Sequence, residues 1–283
     1  MNADLLARFG LRASDLLGQG GEARVYALDA KRVLRVSHVG ADPRSATLRR
    51  ELLAGLDARG LGFAVPEVLD HGQLDGQLYT IEARIPGQSL DKVLAQSTDQ
   101  KREKLLHEYM LTSLKIRKLR MPSDWYGEIA RPDAIRTRTL MDFMCQRAER
   151  SLQDIPLTID VADLTAPLQS TAPPALVHLD YFPGNVMADG DTITGVFDFG
   201  YSTVWANADF TPVLAAIYLE RRITDSAHPQ DLPFARAWLG DHDLDRLFAP
   251  LRLWIAAYWA FCAGDDPSLF QFIVSALQPY DTR

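Results

Sequence analysis

Apolar and polar residues alternate with a period of two over Ala23 to Leu28, Arg32 to Ser37, Val65 to Asp70 and Leu78 to Ala83, which predicts strands there. Asp29-Ala30-Lys31 and Asp75-Gly76-Gln77 carry the turn residues that would close two hairpins. Between them the period lengthens. Leu48, Leu52 and Leu56 form one apolar stripe, Asp42-Pro43 supplies a cap followed by proline at the first helical position, and Gly60 supplies a stop. From Ser89 onward helical spacing dominates, near 89–96, 99–120, 133–150, 208–222, 243–263 and 267–278. Short strands at Ala175 to His178, Asn185 to Ala188 and Thr192 to Phe197 interrupt it, the last two joined by Asp189-Gly190-Asp191. Thr165 to Pro174, with its prolines, reads as a surface loop. The pattern predicts an α+β protein with a small sheet-rich part over residues 1–86 and a larger helical part over 87–283.

Composition narrows the function. With 47% hydrophobic and 24% charged residues in 283, the chain can bury a large core. A net charge of -7 gives no general attraction to nucleic acid or anionic lipid, and the basic run Lys115 to Arg120 reads as the solvated face of a helix. Cys145 and Cys262 lie far apart without metal-ligand spacing, so neither a disulfide framework nor a zinc site is expected. Met1 to Gly10 lacks the apolar core of a signal peptide, and the longest apolar stretch, Leu253 to Ala263, is too short to span a bilayer. The cytoplasm is the default location.

The chemistry is concentrated in His178-Leu179-Asp180-Tyr181-Phe182-Pro183-Gly184-Asn185, followed by Asp198-Phe199-Gly200. H-x-D-x-x-x-x-N and then D-F-G is the order of the catalytic and metal-binding segments of kinases. Asp180, in a loop that Pro183 and Gly184 bend back, is the candidate base that orients an acceptor hydroxyl and takes its proton. Asn185 and Asp198 offer the hard oxygens that suit Mg²⁺. His178 reads as structural support of the loop.

The nucleotide end begins at Gly18-Gln19-Gly20-Gly21-Glu22-Ala23-Arg24-Val25, where Gly18, Gly20 and Gly21 would let backbone close over phosphates and Val25 opens the next strand. Val33 and Arg35 share one face of a strand, so an apolar residue could touch the base while a cation reaches the phosphates. Glu51, mid-helix, is the expected partner of Arg35. Glu82, Ala83 and Arg84, leading into Pro86-Gly87, would form a hinge whose backbone reads the base edge.

With these segments in order, the chain resembles the aminoglycoside phosphotransferase and choline kinase superfamily from about Leu17 to about Leu219. The resemblance implies a bilobal protein-kinase-like fold and Mg²⁺-dependent transfer of the γ-phosphate of ATP or GTP to a hydroxyl of a small molecule. It also implies that Asp180 is the base, Asn185 and Asp198 are the metal ligands, Arg35 with Glu51 is the phosphate-binding pair, and Asp209-Phe210 matches a later structural Asp-Leu. Phe182 departs from the family, which often carries histidine there, so a phosphate contact is lost. No A-P-E segment follows Gly200, which disfavours a protein substrate. Acidic residues Asp225, Asp231, Asp241, Asp243, Asp245, Asp265 and Asp266 could recognise a cationic, aminoglycoside-like acceptor or serve as caps and solvated faces. Two alternatives remain: a nucleotide-binding module of the same fold without turnover, and a metallohydrolase using His178, Asp180 and Asp198. The oligomeric state is left open.

Overall fold

The computed structural model describes every residue except 1, 2, 154, 225, 263, 265, 266 and 283. Helix α1 (Ala3–Arg8) precedes strands β1 (Leu16–Gln19), β2 (Ala23–Ala27) and β3 (Arg32–Ser37), helix α2 (Pro43–Ala54), and strands β4 (Val68–Leu74) and β5 (Gln77–Ala83). The five strands form one antiparallel sheet in the order β1-β2-β3-β5-β4. Asp75 and Gly76 both take positive φ, the primed turn that matches the twist of a tight hairpin. Asp29 accepts the N–H groups of Lys31 and Arg32 at 2.8 Å and closes the other hairpin.

Register sorts this sheet into two faces. Leu34 stands opposite Tyr26 and Ile81, and these three, with Val36, bury against Leu5 and Leu6 of α1. The opposite face carries Val25, Val33, Arg35, Thr80 and Glu82, because Arg35 pairs with Val25 and Thr80 while Val33 pairs with Glu82. Helix α2 is capped by Asp42, whose side chain accepts the Arg44 N–H, and its Leu52 and Leu53 join the core of the helical part.

After the two-residue strand β6 (Gln88–Ser89) come α3 (Leu90–Ala95), α4 (Asp99–Lys115), β7 (Tyr126–Glu128), β8 (Arg136–Thr137), α5 (Leu140–Leu152) and α6 (Val161–Thr165). Then follow β9 (Ala175–His178), β10 (Val186–Asp189), β11 (Thr192–Val196), β12 (Thr203–Ala206), α7 (Phe210–Ile217), α8 (Asp231–Asp241), α9 (Phe248–Trp259) and α10 (Pro267–Leu277). Helix α7 packs on α4 and α9, and α5 on α9, around one continuous apolar core. Two small sheets, β8-β7-β12-β9 and β11-β10-β6, lie on that core and carry both motif segments at their strand ends. No helix among the described residues is long and apolar enough to cross a membrane.

A seam joins the parts. Ala64 donates its N–H to Thr194 O at 2.8 Å and accepts from Val196 N–H at 2.9 Å. Where the chain passes into the helical part, β6 pairs with Met187 and Ala188 of β10. There Gly87 takes φ 102°, and a Cβ on it would run into the Ala188 carbonyl, so only glycine fits.

Several elements depart from the sequence pattern. The helix expected from residue 133 starts at Leu140, because Arg136 and Thr137 instead pair with Tyr126 and Gly127, and Thr139 caps the helix by accepting the Asp142 N–H. The strand expected at Val65 begins at Val68. Strand β12 shows no alternation since all four of its residues are buried, and α8 carries Pro233 and Gly240, which hide its period.

Candidate active site

The segment from His178 to Asn185 is held largely through backbone. His178, fully buried at the end of β9, bonds Phe197 O through Nε2 at 2.9 Å and accepts the Asp180 N–H on Nδ1 at 3.2 Å. Burial depresses its pKa, so the ring stays neutral and ties the loop to the segment ahead of Asp198. Pro183 to Asn185 form one 3-10 turn that brings Asn185 back, where its Nδ2 donates to both Asp180 O and Asp180 Oδ2 at 2.9 Å. The Tyr218 hydroxyl lies 3.1 Å from Asp180 Oδ1 and 2.7 Å from Leu179 O, so it fixes the other carboxylate oxygen. Burial and the charge of Asp198 raise the Asp180 pKa to about 7 against the opposing bonds from Tyr218 and Asn185.

Asp198 is exposed and takes φ 64°, a left-handed backbone that Asp adopts more readily than most non-glycine residues. Its charge is felt at Asp180, His178, Arg35 and Arg49, which places it among them. The structure thus brings Asp180, Asn185, Asp198 and His178 together. Among the described residues no group of three or more His, Cys, Asp or Glu could hold a metal ion, which removes the basis for the metallohydrolase alternative.

The facing wall is arranged differently from the sequence expectation. Arg35 does not meet Glu51, which is exposed on the outer side of α2; it bonds Glu22 Oε2 at 2.9 Å instead. The helix presents Arg49, two residues earlier and on the buried side, and Arg49 grips Glu82 with bonds of 2.6 and 3.2 Å. Thr80 adds a third bond to Glu82 at 2.7 Å. Burial opposes both charges, but the Glu82 attraction outweighs it and raises the Arg49 pKa, as Arg49 in turn lowers that of Glu82. Helical spacing explains the miss: with Leu52 and Leu53 buried, position 49 falls on the inward face and position 51 does not.

The hinge also shifts. Ala83 and Arg84 commit their N–H groups to Glu67 O at 2.9 Å and Lys31 O at 2.8 Å, and Glu82 lies within the ladder opposite Val33 and Val68. The chain leaves the sheet only with Ile85 to Gly87, where the Ile85 side chain lies against Gly195. Gly18 faces Val25 across β1 and β2, and a Cβ at Gly18, Gly20 or Gly21 would meet nothing within 4 Å. Neither packing nor a positive φ demands glycine at those three positions.

On the far side of Asp180, the Phe182 ring lies 5.7 Å from Tyr218, itself 5.2 Å from Trp259, and folds over Gly184. Asp231 is fully buried against Arg102 at 2.7 Å, and Asp245 pairs with Arg236. Asp241 and Asp243 are exposed, and Asp225, Asp265 and Asp266 lie outside the described residues. Tyr218, Arg49 and the role of Glu22 left no motif signal. Only their places relative to Phe210, Leu52 and the glycines hint at them.

The model of the Phosphotransferase enzyme family matches residues 15–254. An ADP-bound aminoglycoside phosphotransferase APH(2'')-Ib is similar in structure with a TM-score of 0.64 at 16% identity, covering 98% of this chain and 97% of that one. The GDP and kanamycin complex of APH(2")-IIIa superposes with a TM-score of 0.60 at 16% identity, over 93% and 91%. APH(3'')-Id from Streptomyces rimosus, with ADP and streptomycin, gives 0.57 at 16% identity, over 88% and 96%. No curated protein matches by sequence. These likenesses establish a kinase-like fold, and the family match over most of its length establishes that this chain belongs to the phosphotransferase enzyme family.

Proposed function

We propose that this protein is a small-molecule kinase that moves the γ-phosphate of ATP or GTP to a hydroxyl of a small acceptor. The observation that carries the reading is the Asp180 carboxylate, held on both oxygens by Asn185 and Tyr218 within the field of Asp198, a field that also reaches Arg35. In this role Asp180 orients the acceptor hydroxyl and takes its proton as the oxygen–phosphorus bond forms and the bond to the departing diphosphate breaks. Arg35 faces the phosphates from the sheet, and the room above Gly18, Gly20 and Gly21 leaves their backbone free to approach them. Val25 and Val33 would cover the base, with the chain at Ile85 to Gly87 beside it. His178 holds the loop and stays out of proton transfer, since both ring nitrogens are engaged with backbone.

Asn185 and Asp198 fit Mg²⁺, an ion that takes one or two protein oxygens and completes its shell with phosphate and water. The Asn185 nitrogen is committed to Asp180, which leaves its carboxamide oxygen, and the Asp198 carboxylate is exposed. Bound there, the ion would supply charge neutralisation of the phosphates.

Relatives of this fold hold ADP, GDP or ATP, so both purine nucleotides are candidate donors. Relatives also hold kanamycin and streptomycin. A cationic acceptor of that kind could use exposed Asp241 and Asp243, whereas Asp231 and Asp245 are already neutralised by arginines. Acceptors without positive charge therefore belong in the same screen. The test is nucleoside diphosphate release with ATP and with GTP, with and without Mg²⁺, across aminoglycosides, amino alcohols and neutral polyols. Acceptor-dependent release that needs Mg²⁺ is expected. Nucleotide binding without turnover on any acceptor would instead favour the module without turnover, to which the Phe182 replacement points.

A further inference from the structure

Arg35 and Arg49 face the same cleft but keep different company. Arg49 and Glu82 are buried on both sides of their pair, with side-chain exposures of 8% and 7%. Arg35 is equally fixed, in mid-strand at 12% exposure, yet its partner Glu22 is 40% exposed and reaches it from the glycine turn through one guanidinium nitrogen. A buried pair with several bonds is costly to break, whereas a half-solvated single bond exchanges readily.

The turn that carries Glu22 is anchored independently of this bond. His38 donates its backbone N–H to Glu22 O at 3.1 Å, its Nε2 lies 2.8 Å from Gly20 O, and Gly20 N–H bonds Ala23 O at 3.0 Å. The Glu22 side chain can therefore swing without moving the backbone. Its head group reaches over the D-F-G segment, where a Cβ on Gly200 would sit 3.7 Å from both carboxylate oxygens. Its charge is also felt at Asp180 and Arg49, so it occupies the space between the two walls. An anion held there on the cation that faces the phosphates has the chemistry of a phosphate oxygen.

We infer that Glu22 is an internal competitor of the donor's phosphates: its carboxylate holds Arg35 until a triphosphate displaces it. This rests on the donor reading above. No such exchange is open at Arg49, where Glu82 is enclosed and also bonded by Thr80. Glu22 thus sets donor affinity through the phosphate end alone and leaves recognition of the base untouched.

The experiment measures, by calorimetric titration with Mg²⁺ present, the affinities of the full chain and of Glu22→Gln for ATP, GTP, inorganic tripolyphosphate, adenosine and guanosine. Gln keeps the size of Glu and removes the charge at a half-exposed site. Glu22→Gln should bind the triphosphates and tripolyphosphate about twofold to fivefold more tightly, the equivalent of one partly exposed ion pair, with nucleosides unchanged. In an Arg35→Gln background the gain should vanish, because the cation being contested is gone. Unchanged or weaker triphosphate binding by Glu22→Gln, a gain that persists without Arg35, or an equal gain for nucleosides would each overturn the competition while leaving donor binding by the unaltered chain intact. Failure of both proteins to bind either triphosphate would overturn the donor reading and the competition together.

Discussion

The two walls of the cleft are fixed by different kinds of bond. Below, His178 and Asn185 hold Asp180 from its own loop while Tyr218 reaches it from the end of α7, and most of those bonds end on backbone atoms. Above, Arg35, Glu22, Arg49 and Glu82 come from separate elements and meet only through side chains. A backbone bond constrains which residue can stand at each position, because the loop geometry itself must be met. A side-chain ion pair constrains only charge and reach, so a helix can exchange its carboxylate for a guanidinium provided the opposite strand supplies the complement. The lower wall therefore keeps a fixed spelling, and the upper wall keeps a balance.

The sharpest way to break this comparison is at its lower end. Asp180→Ala should reduce turnover by about two to four orders of magnitude with donor affinity nearly unchanged. Steady-state kinetics beside calorimetric binding would show it, and near-normal turnover would remove Asp180 from the role of base. On the upper wall the expected damage is to stability. Glu82→Gln leaves the Arg49 guanidinium buried without its counter-charge and should cost about 3 kcal/mol or more in denaturant unfolding.

A third effect is smaller and depends on pH. The folded chain holds His178 neutral, with its pKa below the ordinary 6.5, so the unfolded chain takes up the proton first. The penalty grows as pH falls from about 6.5 to the lower folded value, at no more than about 1.4 kcal/mol per unit. Unfolding curves of the unaltered chain and His178→Gln, compared between neutral and mildly acidic pH, should converge toward low pH. Parallel curves would show that the imidazole is not the group being titrated. The smallest effect falls on Glu51, where Glu51→Gln should change stability by less than about 0.5 kcal/mol and leave donor affinity alone. A loss comparable to that of Glu82→Gln would restore Glu51 to the site.

Legibility in the sequence follows the same division. The run from His178 to Gly200 could be read directly because its residues are close in the chain and their spacing encodes the loop. The two primed or aspartate-closed hairpins were legible from Asp29 and from Asp75-Gly76 for the same local reason. Arg49 and Glu82, thirty-three residues apart, are joined by the docking of α2 on the sheet, which no local pattern reports. Glu128 is the extreme case. It is fully buried with Arg147 at 3.0 Å and accepts the Ile135 N–H at 2.9 Å, an arrangement that anchors β7 and β8 to α5 and also explains why the expected helix starts late. Tyr218 follows the same rule, since its hydroxyl meets Asp180 across the packing of α7 on the segment from His178 to Asn185.

The bridge of Ala64 to Thr194 and Val196 stitches the sheet-rich part to β11. Ladder hydrogen bonds resist sliding along the strands far better than bending across them. Sliding the sheet-rich part along β11 would therefore break both Ala64 bonds at once.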